Sequence, residues 1–408
     1  MVQVRPFSAL RPTEKTAKDV ASVPYDVVNR DEARELAGKN SSSFLRVIRS
    51  DIDFENSVSP YDSSVYTKAV ENLRSLEENG TLVREDEASF YVYRIKAGSH
   101  QQTGVVALSS VTDYDQGLVK IHEKTRPEKL EDRTRHMIEL QAHTGPALLT
   151  FREHDGVTEI LNRTVKNDPI FDFVAEDGVA HTVWQVLEDG EKLREHFSSV
   201  PASYIADGHH RVESSRLCRD SFQKENSKHS GGEAYNFFLS VLFPESELNI
   251  LAYNRVVKKI PSDGAQSFLS ALSDVMNIEK NGKKEPSGKG EFCMYLADDW
   301  YSLSPLEKIS DDPVASLDCS ILQDRVLAPL LAVEDPRTSS NVSFIGGIRG
   351  TEELERLVDS GKAQVAFSLY PVTVADLLSV ADSGKTMPPK STWFEPKLRS
   401  GVATHVFG

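Results

Sequence analysis

Apolar and polar positions alternate between two periods along this chain, and the switches mark its elements. Tyr204-Ile205-Ala206 is a short apolar run that stops at the turn dipeptide Asp207-Gly208, and a helical pattern, Val212 to Leu217, follows at once. The spacing therefore predicts a strand, a tight turn and a helix. Asn29 followed by Glu32 forms a capping-box pattern for a helix near Asp31 to Ala37. Phe44 to Ile48 reads as a strand. Tyr66 to Leu76 reads as an amphipathic helix ended by Asn79-Gly80. Ser89 to Ile95 and Gly104 to Ser110 suggest a hairpin around Gly98-Ser99, and Ala147 to Phe151 a buried strand. Thr125 and Glu128, with Pro127 between them, predict a capping box and a helix from about Arg126. Later, Phe237 to Phe243 and Ile250 to Val256 read as strands and Ser267 to Val275 as a helix. The charged, glycine-interrupted Gly282 to Gly290 segment reads as a boundary.

These elements imply an α/β chain with a mixed α+β sheet. Three segments are expected: an N-terminal α/β segment, 1–88; a central lobe, 89–281; and a C-terminal α/β lobe, 282–408. At 408 residues, more than one core is the expectation. A formal net charge of -15 argues against non-specific nucleic-acid or anionic-membrane binding. No run of about 18 apolar residues is present, so no membrane span is expected. The three cysteines, Cys218, Cys293 and Cys319, lie far apart and suit reduced cytoplasmic thiols.

Chemistry concentrates in two stretches. In Asp207-Gly208-His209-His210-Arg211, the glycine lets a ligand approach the backbone, and the helix start offers N–H groups to an anion. Arg211 supplies a planar fork for phosphate oxygens, and Asp207 can hold a cation or accept a proton. The alternative is a tight turn with surface histidines. In Ile121-His122-Glu123-Lys124-Thr125-Arg126, the carboxylate of Glu123 precedes a helix on which Arg126, Lys129, Arg133 and His136 share a side with Leu130, Met137 and Leu140. That mixture suggests a half-buried basic wall; basic stems lying over a core would look the same. The residue four positions after His122 is Arg126, so no zincin motif is present. Gly384-Lys385-Thr386 follows a helix instead of preceding one and lacks the first P-loop glycine, which excludes Walker-type binding. In the tail, Pro388 and Pro389 stiffen the approach to Lys390, Ser391 and Thr392, a cation and two hydroxyls suited to phosphate.

Together, Val23-Pro24-Tyr25-Asp26, His122-Glu123-Lys124-Thr125, Asp207-Gly208-His209-His210-Arg211 and Pro389-Lys390-Ser391-Thr392 resemble a large bacterial family filed as domain of unknown function 1015. Some of its members are described as free-serine kinases that use pyrophosphate. The His-Glu and Asp-Gly-His-x-Arg elements are also similar to the ParB/sulfiredoxin-like superfamily, although the interval between them is longer here. The resemblance implies a ParB/sulfiredoxin-like central lobe, flanked by N- and C-terminal lobes around a cleft. It further implies a small-molecule kinase that converts free L-serine and pyrophosphate to O-phospho-L-serine with Mg²⁺. Glu123 would be the base on the serine hydroxyl, with Asp207 and His209 beside it. Gly208, His210, Arg211, Lys124, Arg126, Arg133, Lys390, Ser391 and Thr392 would hold phosphate. Asp207 would hold the metal, and Asp26, Asn40 and Arg46 the amino acid. Two alternatives stand beside this reading: a ParB-like nucleotide-binding regulator, and a metal-dependent phosphohydrolase with His122, His209 and His210 as ligands.

Overall fold

The computed structural model describes residues 1–260 and 263–408. By contact, the chain forms two units, 1–248 with 396–408, and 249–395. The expected divisions at 88/89 and 281/282 do not coincide with this boundary. Strands from both sides of residue 88 pair with one another (Val4–Arg5 with His100–Ser110), so the N-terminal segment shares the sheet formed by later strands.

The first unit is built on a nine-stranded mixed sheet. Its strands in chain order are β1 (Val4–Arg5), β2 (Tyr91–Ala97), β3 (His100–Ser110), β4 (Val119–Lys120), β5 (Ala147–Phe151), β6 (Phe171–Val174), β7 (Ala180–Gln185), β8 (Ser203–Asp207) and β9 (Phe237–Pro244). They lie in the order β4-β8-β5-β9-β3-β2-β7-β6, with β1 against β3. The β8–β4 and β9–β5 pairs are parallel, and the other pairs are antiparallel. The mixed α/β class read from the sequence is the class observed. Strands β5, β8 and β9 carry almost unbroken apolar runs, and the residues on both of their faces are buried. Leu149, Phe151, Ile205, Phe238 and Leu242 are buried in one core cluster.

Four helices of this unit carry or border the sequence motifs: α1 (Arg30–Ala37), α2 (Ser63–Glu78), α3 (Pro127–Leu140) and α4 (His209–Glu225). Asn29 and Glu32 form the expected capping box of α1. The hairpin β2–β3 closes where Ala97 pairs with His100. Two local expectations fail. Phe44–Ile48 is not a strand: Leu45–Ile48 is a single helical turn, with Leu45, Val47 and Ile48 all buried. Packing beside α2 overrides the β preference of Val and Ile, and Asn72 Nδ2 donates to the Arg46 carbonyl at 2.7 Å. At α3, Arg126 occupies the N-cap, so Glu128 falls one position short of the third helical residue and the Thr125 box does not form.

The second unit holds a six-stranded antiparallel sheet: β10 (Tyr253–Val257), β11 (Met276–Lys280), β12 (Phe292–Leu296), β13 (Asp299–Pro305), β14 (Val342–Gly346) and β15 (Val365–Leu369). The order is β11-β13-β12-β15-β10-β14. The Gly282–Gly290 loop is thus internal, joining β11 to β12. Phe237–Pro244 and the strands from Ile250 onward, both expected from the sequence, belong to different units. Among the described residues, no helix is long and apolar enough to cross a membrane.

Candidate functional site

Strand β8 delivers Asp207 through a bulge, where the register against β5 shifts between Ile205 and Asp207. Gly208 then turns the chain with φ +97°, a backbone that side chains rarely adopt, and a Cβ there would sit 3.3 Å from the Ala147 Cα. Helix α4 begins at once, so His209, His210 and Arg211 occupy its first turn; the Arg211 N–H turns back to the Gly208 carbonyl at 2.8 Å, and the helix dipole at this end favours an anion.

The two sequence motifs converge here. The Arg126 N–H donates to His210 Nε2 at 2.9 Å, and the His122 N–H lies 3.4 Å from His209 Nε2. The His122 and His209 rings pack edge to face, 4.5 Å between centroids. Ligand-type atoms of His122, Glu123 and His209 all lie within 4.8 Å of one another. Glu123 therefore stands beside the Asp207-Gly208-His209-His210-Arg211 turn, although more than eighty positions separate them in sequence.

The electrostatics split the polar groups into neutral imidazoles and fixed charges. Burial pushes His122 down to about 4, against its hydrogen bond to the Ile205 carbonyl and the nearby Asp207 charge. Burial and then His122 push His209 well below its ordinary value, although Asp207 opposes them. His210 is lowered by burial and by Lys129, with Asp26 acting the other way. Because His210 Nε2 accepts a hydrogen bond, its proton sits on Nδ1, which is the donor it can offer a ligand. For Asp207, burial raises the pKa, but Lys397 and then Arg211 outweigh it and hold the carboxyl below the usual range. The Lys397–Asp207 ion pair measures 2.9 Å.

Arg211 donates to the Pro146 carbonyl at 2.6 Å and approaches Asp26 at 3.5 Å. Its guanidinium lies 5.6 Å from the Tyr25 ring, and that of Arg133 lies 4.3 Å from the same ring. Asn29 caps α1, and Asp26 belongs to this cluster. Arg133 is half-buried against Asp132 at 2.7 Å, whereas Arg126, Lys129 and Lys124 are exposed.

Two of the expected substrate residues are engaged elsewhere in the first unit. Arg46 is ion-paired with Asp53 and donates to the carbonyls of Asn40 and Gly38, while Asn40 Nδ2 donates to the Asp19 carbonyl. Both are committed to the N-terminal segment, and neither lines the cavity beside Asp26. Lys390, Ser391 and Thr392 belong to the second unit. There, Ser391 is buried, donates to the Pro388 carbonyl at 2.7 Å and lies 3.2 Å from Cys319 Sγ. Lys390 Nζ sits 5.4 Å from the Tyr253 ring, and Trp393-Phe394 pairs with Ile250-Leu251. The residue the sequence did not reveal is Lys397. A lysine following a proline in a tail carries no signal of its own, and only the tertiary fold sets it on Asp207.

The donor set decides which metals fit. Asp207 is already engaged by Lys397 and faces imidazoles, a poor environment for magnesium, which prefers several oxygen ligands. Magnesium held by Asp207 is therefore not what these residues fit. The two imidazoles and one carboxylate of His122, Glu123 and His209 instead resemble a zinc-type set.

A family model described as "Protein of unknown function (DUF1015)" matches residues 4–320. No curated protein matches the sequence. Among solved structures, a mutant free serine kinase in complex with ADP is 13% identical, covering 74% of this chain and 92% of that one, at a TM-score of 0.35. A conserved hypothetical protein from Pyrococcus furiosus is 13% identical over 74% and 94%, at 0.35. SbnI from Staphylococcus aureus, with a C-terminal truncation, is 13% identical over 72% and 85%, at 0.37. At these scores the likenesses carry no argument about activity.

Proposed function

We propose that this chain, which belongs to the DUF1015 family, is a small-molecule phosphotransferase that makes O-phospho-L-serine from free L-serine and pyrophosphate. The observation that supports this most is the meeting of Glu123 with the Gly208-centred turn at the start of α4. The same turn carries Arg211, whose planar fork suits phosphate oxygens.

The serine oxygen attacks the terminal phosphorus, the bridging P–O bond breaks, and orthophosphate leaves. Glu123 accepts the hydroxyl proton. Arg211, the Nδ1–H of His210 and the α4 N–H groups neutralise the phosphoryl oxygens, and positioning supplies most of the remainder. Magnesium enters as part of the substrate, carried on the pyrophosphate oxygens. The test is a donor-by-acceptor screen with pyrophosphate, ATP and ADP, detecting phosphoserine by mass spectrometry. Absence of phosphoserine from every donor removes this reading.

The His122, Glu123 and His209 cluster favours a second reading, a metal-dependent phosphohydrolase. A zinc-type ion there would supply a water of lowered pKa. Stoichiometric zinc in the purified protein, with orthophosphate released and no phosphoserine formed, would select it.

A further inference from the structure

Beside the Asp207–Arg211 turn, the first unit carries a half-open cavity of about 250 Å³. Its walls include Tyr25, Asp26, Lys129, Asp132 and Arg133, with Tyr66 from α2. Its volume lies just below the range typical of drug-sized sites, which suits a small metabolite.

Most charges around it are already spent on one another. Arg133 pairs with Asp132, which also accepts the Tyr66 hydroxyl at 2.8 Å. Arg49 holds Asp51 through two contacts of 3.0 Å. Two charges differ. The Lys129 ammonium makes no hydrogen bond or ion pair among the described residues, and the Asp26 carboxylate has a single long contact, 3.5 Å, to Arg211. One cation and one anion are thus left at the cavity. Asp26 reaches Arg211 of the turn at 3.5 Å, and Lys129 follows by three positions Arg126, whose N–H donates to His210 Nε2, so both lie on the side of the cavity next to the turn. Tyr25 forms the partition, with Arg133 4.3 Å and Arg211 5.6 Å from its ring.

We infer that this cavity is the acceptor pocket for a small zwitterionic amino acid, with its ammonium group on Asp26, its carboxylate on Lys129 and its hydroxyl directed past Tyr25 towards Gly208 and Arg211. The inference rests on the phosphotransferase reading for the hydroxyl's role, but not for binding. It replaces Arg46, which is engaged in other contacts, with Lys129.

The experiment is calorimetric titration of the full chain with L-serine, ethanolamine and glycerate, the last two lacking the carboxylate and the ammonium respectively. Imidodiphosphate is present throughout as a pyrophosphate mimic. L-serine should bind, and each truncated ligand should bind about tenfold more weakly or worse, the loss expected for one charge-assisted contact. Asp26→Asn should weaken serine by a similar factor, and Lys129→Met should weaken serine while sparing ethanolamine. Both side chains reach solvent, so neither substitution threatens the fold. Serine binding unchanged in both variants, or no serine binding at all, would overturn the pocket. Serine bound through these residues without phosphoserine from any donor would keep the pocket and remove phosphoryl transfer. Phosphoserine formed with an unchanged serine KM in both variants would do the reverse.

Discussion

The backbone N–H of Arg126 donates to Nε2 of His210 at 2.9 Å, tying the start of one helix to the first turn of another. Neither residue would need the other for its own helix. The bond brings the Glu123 loop to the Asp207–Arg211 turn and fixes which His210 nitrogen faces a ligand.

If Glu123 takes the acceptor proton, Glu123→Gln should lower phosphoserine formation by ~10²-fold or more with little change in thermal stability. Steady-state kinetics alongside a melting curve check both halves. A near-wild-type rate would leave Glu123 without a chemical role.

Arg211→Lys keeps the charge but loses the planar fork. It should raise the donor KM about tenfold and leave the serine KM close to its starting value. Kinetics with each substrate varied in turn distinguish this from general damage, which would move both.

Gly208→Ala should destabilise the first unit by about 1–2 kcal/mol, because an L-residue at φ +97° is strained and its Cβ presses on Ala147. Denaturant unfolding followed by tryptophan fluorescence measures it.

His122 is buried and held neutral, with a folded pKa of about 4 against an ordinary value of 6.5. The unfolded chain binds the extra proton between those values, so its contribution is complete above pH 6.5 and is lost as pH falls towards 4. The amount is up to about 3 kcal/mol. His122→Asn should flatten the pH dependence of unfolding free energy across that window, and an unchanged slope would contradict the assignment.

Asp207 shows the opposite arrangement. Its folded pKa is depressed by Lys397 and Arg211, so the pairing stabilises above about pH 4 and fades as acid protonates the carboxylate. With the pair partly exposed, Lys397→Met should cost only about 1 kcal/mol at neutral pH, and less in acid. Unfolding curves at two pH values test this.

Much of the turn was legible in sequence because the hydrophobic period changes there: Tyr204 to Ala206 runs apolar as a strand, and Asp207-Gly208 interrupts it. The Asn29–Glu32 box was legible for the same local reason. Where neighbours decide, sequence failed. Leu45 to Ile48 is β-branched enough for a strand but lies buried beside α2 as a helical turn. Arg46 has the charge for a carboxylate ligand, yet Asp53 and two carbonyls consume it. Lys397 reaches Asp207 from 190 positions away, a closure that no local pattern encodes.

Incubating the pure protein with L-serine and magnesium pyrophosphate, then quantifying O-phosphoserine by mass spectrometry, tests the central assignment most directly. The account requires phosphoserine and orthophosphate in equal amounts, abolished in Glu123→Gln. Orthophosphate released without phosphoserine, or phosphoserine formed equally well by Glu123→Gln, would contradict it.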